Sequence, residues 1–181
     1  FELEEHIYQR SVGRIDIRNH PVLSELPFNA DALGVDAPWM PLIQRVLGAE
    51  ASLLWRGVVV AEPGTSEQAF HADGPLVPRE VWNAHEQDRV AAGAVPAHSL
   101  AVFVPLVDYV RQQSSEAARP TLFLPGSHHQ LTADALQAEA RDAGSSGGAG
   151  IPASLDASAG DAIVFDLRTH HAGGSNPSSS R

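Results

Sequence analysis

The chain has 181 residues, enough to bury one sizeable core, and 43% of them are apolar. Its 12 basic against 22 acidic residues leave a formal charge of −10, which disfavours a nucleic acid held on a basic face, and no apolar run approaches the ~18 residues of a membrane span. There is no Cys, which excludes a disulfide frame, a thiolate nucleophile and thiolate metal sites and leaves the compartment open. All twelve basic residues are Arg, so Schiff-base chemistry and Lys-dependent phosphate loops are excluded for this segment. Phe1 in place of Met reads as the start of a trimmed piece.

In chain order, the first 35 residues mix short apolar stretches, Ile15 to Ile17 and Val22 to Leu26, with Pro and Asn, and read as irregular with a strand or short helix. Asp36-Ala37-Pro38 has the form of a helix start, and Met40, Ile43 and Leu47 recur at helical spacing until Gly48. Leu53 to Val60 reads as a buried strand closed by the turn Glu62-Pro63-Gly64. Pro75 to Pro96 reads as a partly helical surface insertion. Ser99 to Val107 and Thr121 to Leu124 read as strands, the second stopped by Pro125-Gly126. Thr132 is placed to cap a helix over Ala133 to Ala140, before the Gly/Ser stretch at 144–148. Gly160-Asp161 is a tight turn into a strand over Ala162 to Leu167. Short strands punctuated by Gly and Pro give a mainly β class, a sandwich or barrel with flanking helices.

Three clusters carry the chemistry. His71-Ala72-Asp73-Gly74 sets an imidazole and a carboxylate two residues apart, on one face if the backbone is extended, and Gly74 lets the chain turn away. The second runs from Gly160 to Arg181 and delivers the His170-His171 pair into a Gly-rich bend. The third is the turn Pro125-Gly126-Ser127-His128-His129, whose plain reading is a solvated His pair. Two His and one carboxylate form the facial triad of non-haem iron(II) oxygenases. The distal His stands 100 positions along the chain (171 − 71), and Arg181 lies ten further (181 − 171), within reach of a returning strand that forks onto a carboxylate.

The order H-x-D, then Val104-Pro105-Leu106-Val107-Asp108, then Phe123-Leu124-Pro125-Gly126-Ser127-His128, then G-D-x-x-x-F-D-x-R-x-x-H-x-G-G-x-N from Gly160 to Asn176, then Arg, resembles the phytanoyl-CoA dioxygenase family from about Pro21 to Arg181. That resemblance implies a double-stranded β-helix (a cupin-like jelly roll) using iron(II), 2-oxoglutarate and O2 on a small-molecule or acyl substrate. It implies one domain over 1–181, with an N-terminal flanking region and helix at 1–50 and the jelly-roll core at 51–181. His71, Asp73 and His171 match the family's metal positions, and Arg181 matches the residue that binds the distal carboxylate of 2-oxoglutarate. His170 competes for the distal position; His171 is preferred because it immediately precedes Ala-Gly-Gly and stands five before Asn176. Thr121 either reaches the co-substrate or faces outward from its strand. The retained Asp73 favours hydroxylation, since halogenating relatives carry a small residue there. The competing readings are an inactive metal- or ligand-binding jelly roll of cupin type and a hydrolase or isomerase that uses a divalent metal in the same cage.

Overall fold

The computed structural model describes residues 2–25, 33–74, 97–109, 117–129 and 152–178. These are mainly strands with few helices. Three expectations fall outside the described residues: the insertion at 75–96, the helix over 133–140 and the Gly/Ser stretch at 144–148. The chain divides into two compact units, one of Phe1–Gln68, Gln112–Arg119 and Gly174–Arg181, the other of Ala69–Arg111 and Pro120–Gly173.

The first unit is built on an antiparallel sheet in the order β1 (Glu2–Glu4), β2 (Ile7–Ser11), β3 (Arg14–Arg18), β4 (Gly57–Ala61). The N-terminal stretch therefore forms three strands and a 3-10 turn over Pro21–Ser24, more regular structure than the irregular chain with a strand or short helix that the sequence suggests. The reason lies in an inverted alternation. In β3 the buried positions are Arg14 and Asp16, while Ile15 and Ile17 are only half-buried. Asp16 Oδ2 accepts from Arg10 Nε at 2.8 Å and from Arg18 Nε at 2.7 Å, so an ionic network occupies the face that an apolar core ordinarily claims. The Arg18 guanidinium also lies 5.6 Å from the Tyr8 ring centroid and 5.1 Å from that of Trp55.

Two further expectations are corrected here. The stretch Leu53 to Val60 is not a buried strand: residues 51–56 are irregular, β4 begins at Gly57, and Leu54, Val59 and Val60 are exposed. Helix α1 (Met40–Leu47) starts after Trp39, which makes no side-chain cap, and Pro41 rather than Pro38 occupies its first turn; Asp36 lies in the preceding turn. Gly48 does end it, at φ 103°, its N–H returning to Gln44 O.

The turn Glu62-Pro63-Gly64 forms as its sequence dictates, with Thr65 N–H on Glu62 O at 3.1 Å and Gly64 at φ 82°. Thr65 then pairs with Asn176, whose side-chain amide donates to Ala61 O at 2.8 Å. Arg14 Nη2 donates to Gly174 O at 2.7 Å. The Gly-Gly-x-Asn end of the long motif is thus anchored in this unit by main-chain and amide bonds.

The second unit holds shorter strands. β5 (Leu100–Phe103) pairs with β8 (Ile163–Asp166), Leu100 opposite Asp166 and Phe103 opposite Ile163. A second sheet has the order β7 (Ala153–Ser154), β6 (Leu122–Phe123), β9 (His171–Ala172). Gly126 at φ 83° follows β6, and Gly160 at φ 91° precedes β8, both conformations that glycine adopts without a Cβ penalty. Rings from both sheets meet: Phe103 and Phe165 centroids are 4.8 Å apart at 85°, and Phe123 and Phe165 are 5.0 Å apart at 65°.

Candidate metal centre

His71 and His171 face each other as a single antiparallel bridge pair, each donating its N–H to the other's carbonyl, at 3.0 and 2.8 Å. This closely bonded pairing brings two positions 100 residues apart onto neighbouring backbones, and their imidazole centroids to 4.7 Å. Asp73 sits in the bend that follows, its Oδ1 3.9 Å from His71 Nε2 and its Oδ2 3.5 Å from His171 Nε2. Among the described residues these three form the one group of imidazole and carboxylate ligands close enough to share an ion, with one donor atom from each within 4.8 Å of the others.

Gly74 keeps that bend close to the second unit's own framework. Its N–H donates to Leu167 O at 3.0 Å, and a Cβ at this position would meet the Leu167 side chain at 3.0 Å. Gly74 stands in the bend its sequence suggests, and hydrogen in place of a methyl also admits Leu167.

The donor chemistry fits a divalent metal. His71 Nδ1 lies 3.0 Å from Ala69 O and His171 Nδ1 lies 3.0 Å from Thr169 O. A carbonyl only accepts, so each Nδ1 is the donor, and in the neutral ring Nε2 is then the atom with the lone pair, on the side of Asp73. Donors ~2.1 Å from one ion lie about 3 Å apart at right angles and about 4 Å apart when opposed, a range that includes both observed separations.

The three candidate ligands differ in exposure. The His171 side chain is 4% exposed and that of His71 35%. Asp73 is exposed as a residue, but its side chain only to 18%, so the carboxylate is more sheltered than its main chain. His171 is walled by Phe103, Phe123 and Phe165, whose centroids lie 5.7, 6.1 and 5.2 Å from its ring. Rings on several sides fix χ1 and χ2 of His171 more tightly than those of His71.

His170 stands outside the cluster. It is buried, and its Nδ1 has no hydrogen-bond partner among the described residues. Burial holds its imidazole below the ordinary histidine range, helped by the neighbouring His171 and His71. Thr121 is buried rather than set on an outward face. Arg181 lies outside the described residues, as does the side chain of His129, and the His128 side chain is half-buried.

Two residues whose roles the sequence reading did not separate hold the segment that carries His171. Asp166 grips Arg168 in a fork, Oδ1 accepting from Nε at 2.9 Å and Oδ2 from Nη2 at 2.6 Å, and Oδ1 also accepts the Arg168 N–H at 2.9 Å. Burial acts to raise the Asp166 carboxyl, and the bonds and charge of Arg168 outweigh it, holding the group below the ordinary carboxylate range. Ser127, 1% exposed, accepts the His170 N–H at 2.7 Å. Both were present in their motifs as F-D-x-R and P-G-S-H; the signal for Ser127 was a small hydroxyl residue directly after a Pro-Gly turn, overshadowed by two adjacent His.

A β-rich chain with a His-Asp-His cluster of this donor chemistry falls in the broad class of proteins that carry the ligand set of a divalent-metal site. The particular family follows from the sequence as a whole: the phytanoyl-CoA dioxygenase (PhyH) family model matches residues 14–181, and the chain belongs to that family. Membership implies a dioxygenase-type enzyme of the iron(II)/2-oxoglutarate kind. A search of curated proteins gave no match. No helix among the described residues is long and apolar enough to cross a membrane.

Proposed function

We propose that this chain is a non-haem iron(II)- and 2-oxoglutarate-dependent dioxygenase that hydroxylates a small-molecule or acyl substrate on a jelly-roll core. The observation that carries the reading is the pair of imidazoles with Nδ1 tied to a carbonyl and Nε2 turned to one carboxylate. In this reading His71, Asp73 and His171 hold the iron, and Arg181 anchors the distal carboxylate of 2-oxoglutarate by a two-pronged charge-assisted contact. Bound together, iron, co-substrate and O2 supply an oxidant strong enough to break a substrate C–H bond, with succinate and carbon dioxide as co-products.

The chain's own residues then have defined tasks. Ala69 O and Thr169 O favour the Nδ1–H tautomer of both imidazoles, which leaves Nε2 as the donor atom toward a metal. Phe103, Phe123 and Phe165 exclude water from the flank of His171 and hold its ring still. Asp73 contributes the anionic ligand, and its presence supports hydroxylation over halogenation.

The test is succinate formation from 2-oxoglutarate by the full chain with iron(II) and ascorbate, with and without candidate substrates. Turnover should fall more than ~100-fold in His71→Ala and in Asp73→Ala, whose metal-supporting ligands are gone. Metal binding without succinate under any of these conditions would favour the inactive jelly-roll reading instead.

A further inference from the structure

The peptide group between Thr169 and His170 has both its ends engaged. Its carbonyl, that of Thr169, receives the Nδ1–H of His171 at 3.0 Å. Its N–H, that of His170, is given to Ser127 Oγ at 2.7 Å inside the protein. The next carbonyl, His170 O, accepts from Leu124 N–H at 2.9 Å. The Leu124–Ser127 turn therefore grips the main chain of residue 170 on both sides, while the ring of His170 contributes no Nδ1 bond among the described residues.

We propose that Ser127 is a positioning residue for His171: its hydroxyl, through the Thr169–His170 peptide, sets the orientation and tautomer of the imidazole whose Nε2 faces Asp73. The path has three links and no free joint. Ser127 Oγ fixes the plane of the peptide, the peptide aims the Thr169 carbonyl, and that carbonyl aims the ring. Accepting from the N–H also polarises the amide, which strengthens its carbonyl as an acceptor and makes the imidazole a better donor toward a metal. Ser127 touches no ligand atom in this scheme and acts only through the peptide. His71 makes the matching contact to Ala69 O with its side chain far more open, so the burden of rigidity falls on the His171 side.

The inference deepens the metal-site reading and rests on it for its affinity arm alone. The experiment compares wild type with Ser127→Ala and Ser127→Cys, whose sulfur is a weak acceptor. Nitrogen-15 imidazole NMR of the metal-free chain should show His171 as the Nδ1–H tautomer in wild type and as a mixture of tautomers in Ser127→Ala. Co(II) titration followed by its visible absorption should show affinity lowered about tenfold in Ser127→Ala and by less in Ser127→Cys. Ile43→Ala in α1 serves as the control for general loss of stability and should change neither readout at temperatures where it is folded. An unchanged tautomer and affinity in Ser127→Ala would overturn the proposal, as would equal changes in Ile43→Ala. If neither Ser127 variant folds, the hydroxyl serves the fold alone and the proposal fails. Should wild type itself not bind Co(II), or bind it equally in His71→Ala, the metal reading fails while the NMR arm still decides the role of Ser127.

Discussion

The two units hold an Asp paired with Arg in different ways. In the first, Asp16 lies in a five-residue strand paired on both sides, and its partners Arg10 and Arg18 remain about a third exposed. In the second, Asp166 ends a four-residue strand, and its partner Arg168 is 3% exposed. A long ladder holds its backbone by repetition, so its ion network is an addition. Where strands are two to four residues long, the backbone has few ladder bonds, and individual side chains must fix it. The candidate metal centre stands in the second kind of framework, with its chain segment pinned by Asp166, Ser127 and a wall of Phe.

This difference orders the expected effects. Asp166→Asn removes the negative charge that faces the buried Arg168 guanidinium and should destabilise by about 4 kcal/mol in urea unfolding. The sign of its pH dependence follows from the depressed carboxyl: between its folded value and the unfolded ~3.9 the unfolded chain binds more protons, so stability falls with falling pH. The Asp166 contribution is complete above the unfolded value and lost as pH drops through the folded one. A pH series of unfolding curves should show that acid-side loss in wild type and a smaller one in Asp166→Asn.

Saturating metal comes next. Mn(II) at a hundred times its Kd should raise stability by about 2.7 kcal/mol in wild type and by none in His171→Ala, read as a shift in thermal midpoint. Asp16→Asn should cost less than Asp166→Asn, about 2 kcal/mol, because water can reach Arg10 and Arg18. Equal costs for the two Asp variants would break the comparison between ladder-held and side-chain-held units. The smallest effect belongs to Gly64→Ala, about 1 kcal/mol from positive φ alone, since a Cβ there meets nothing within 4 Å. Gly13→Ala should exceed it, because at φ 73° its Cβ would also lie 2.5 Å from Thr65 Oγ1.

Much of the site was legible in the residues, and the reason is local. His71-Ala72-Asp73 gives two donor types at a fixed spacing, and Pro63-Gly64, Pro125-Gly126 and Gly160 encode turns through φ preferences that act within a few bonds. The strand Arg14–Arg18 was harder to read, because its alternation buries Arg14 and Asp16 where an apolar core predicts Ile15 and Ile17. That inversion depends on Arg10 and Arg18 converging on one carboxylate, which no single strand encodes. The exposed apolar residues of Leu53 to Val60 misled for the related reason that apolar character does not by itself state which side is covered.

The amino-acid sequence alone determined the inventory: imidazoles and a carboxylate as candidate ligands, Arg in place of any Lys, a mainly β class, and the turns. Tertiary structure alone decided which atoms meet. The reciprocal bonds of His71 and His171 and the hydroxyl of Ser127 on the Thr169–His170 peptide join residues far apart along the chain, while each His Nδ1 meets the carbonyl two residues before it. Turn preferences arise from sterics between adjacent atoms and survive in the sequence; a shared ligand site arises from strand pairing, and is fixed only when the chain folds.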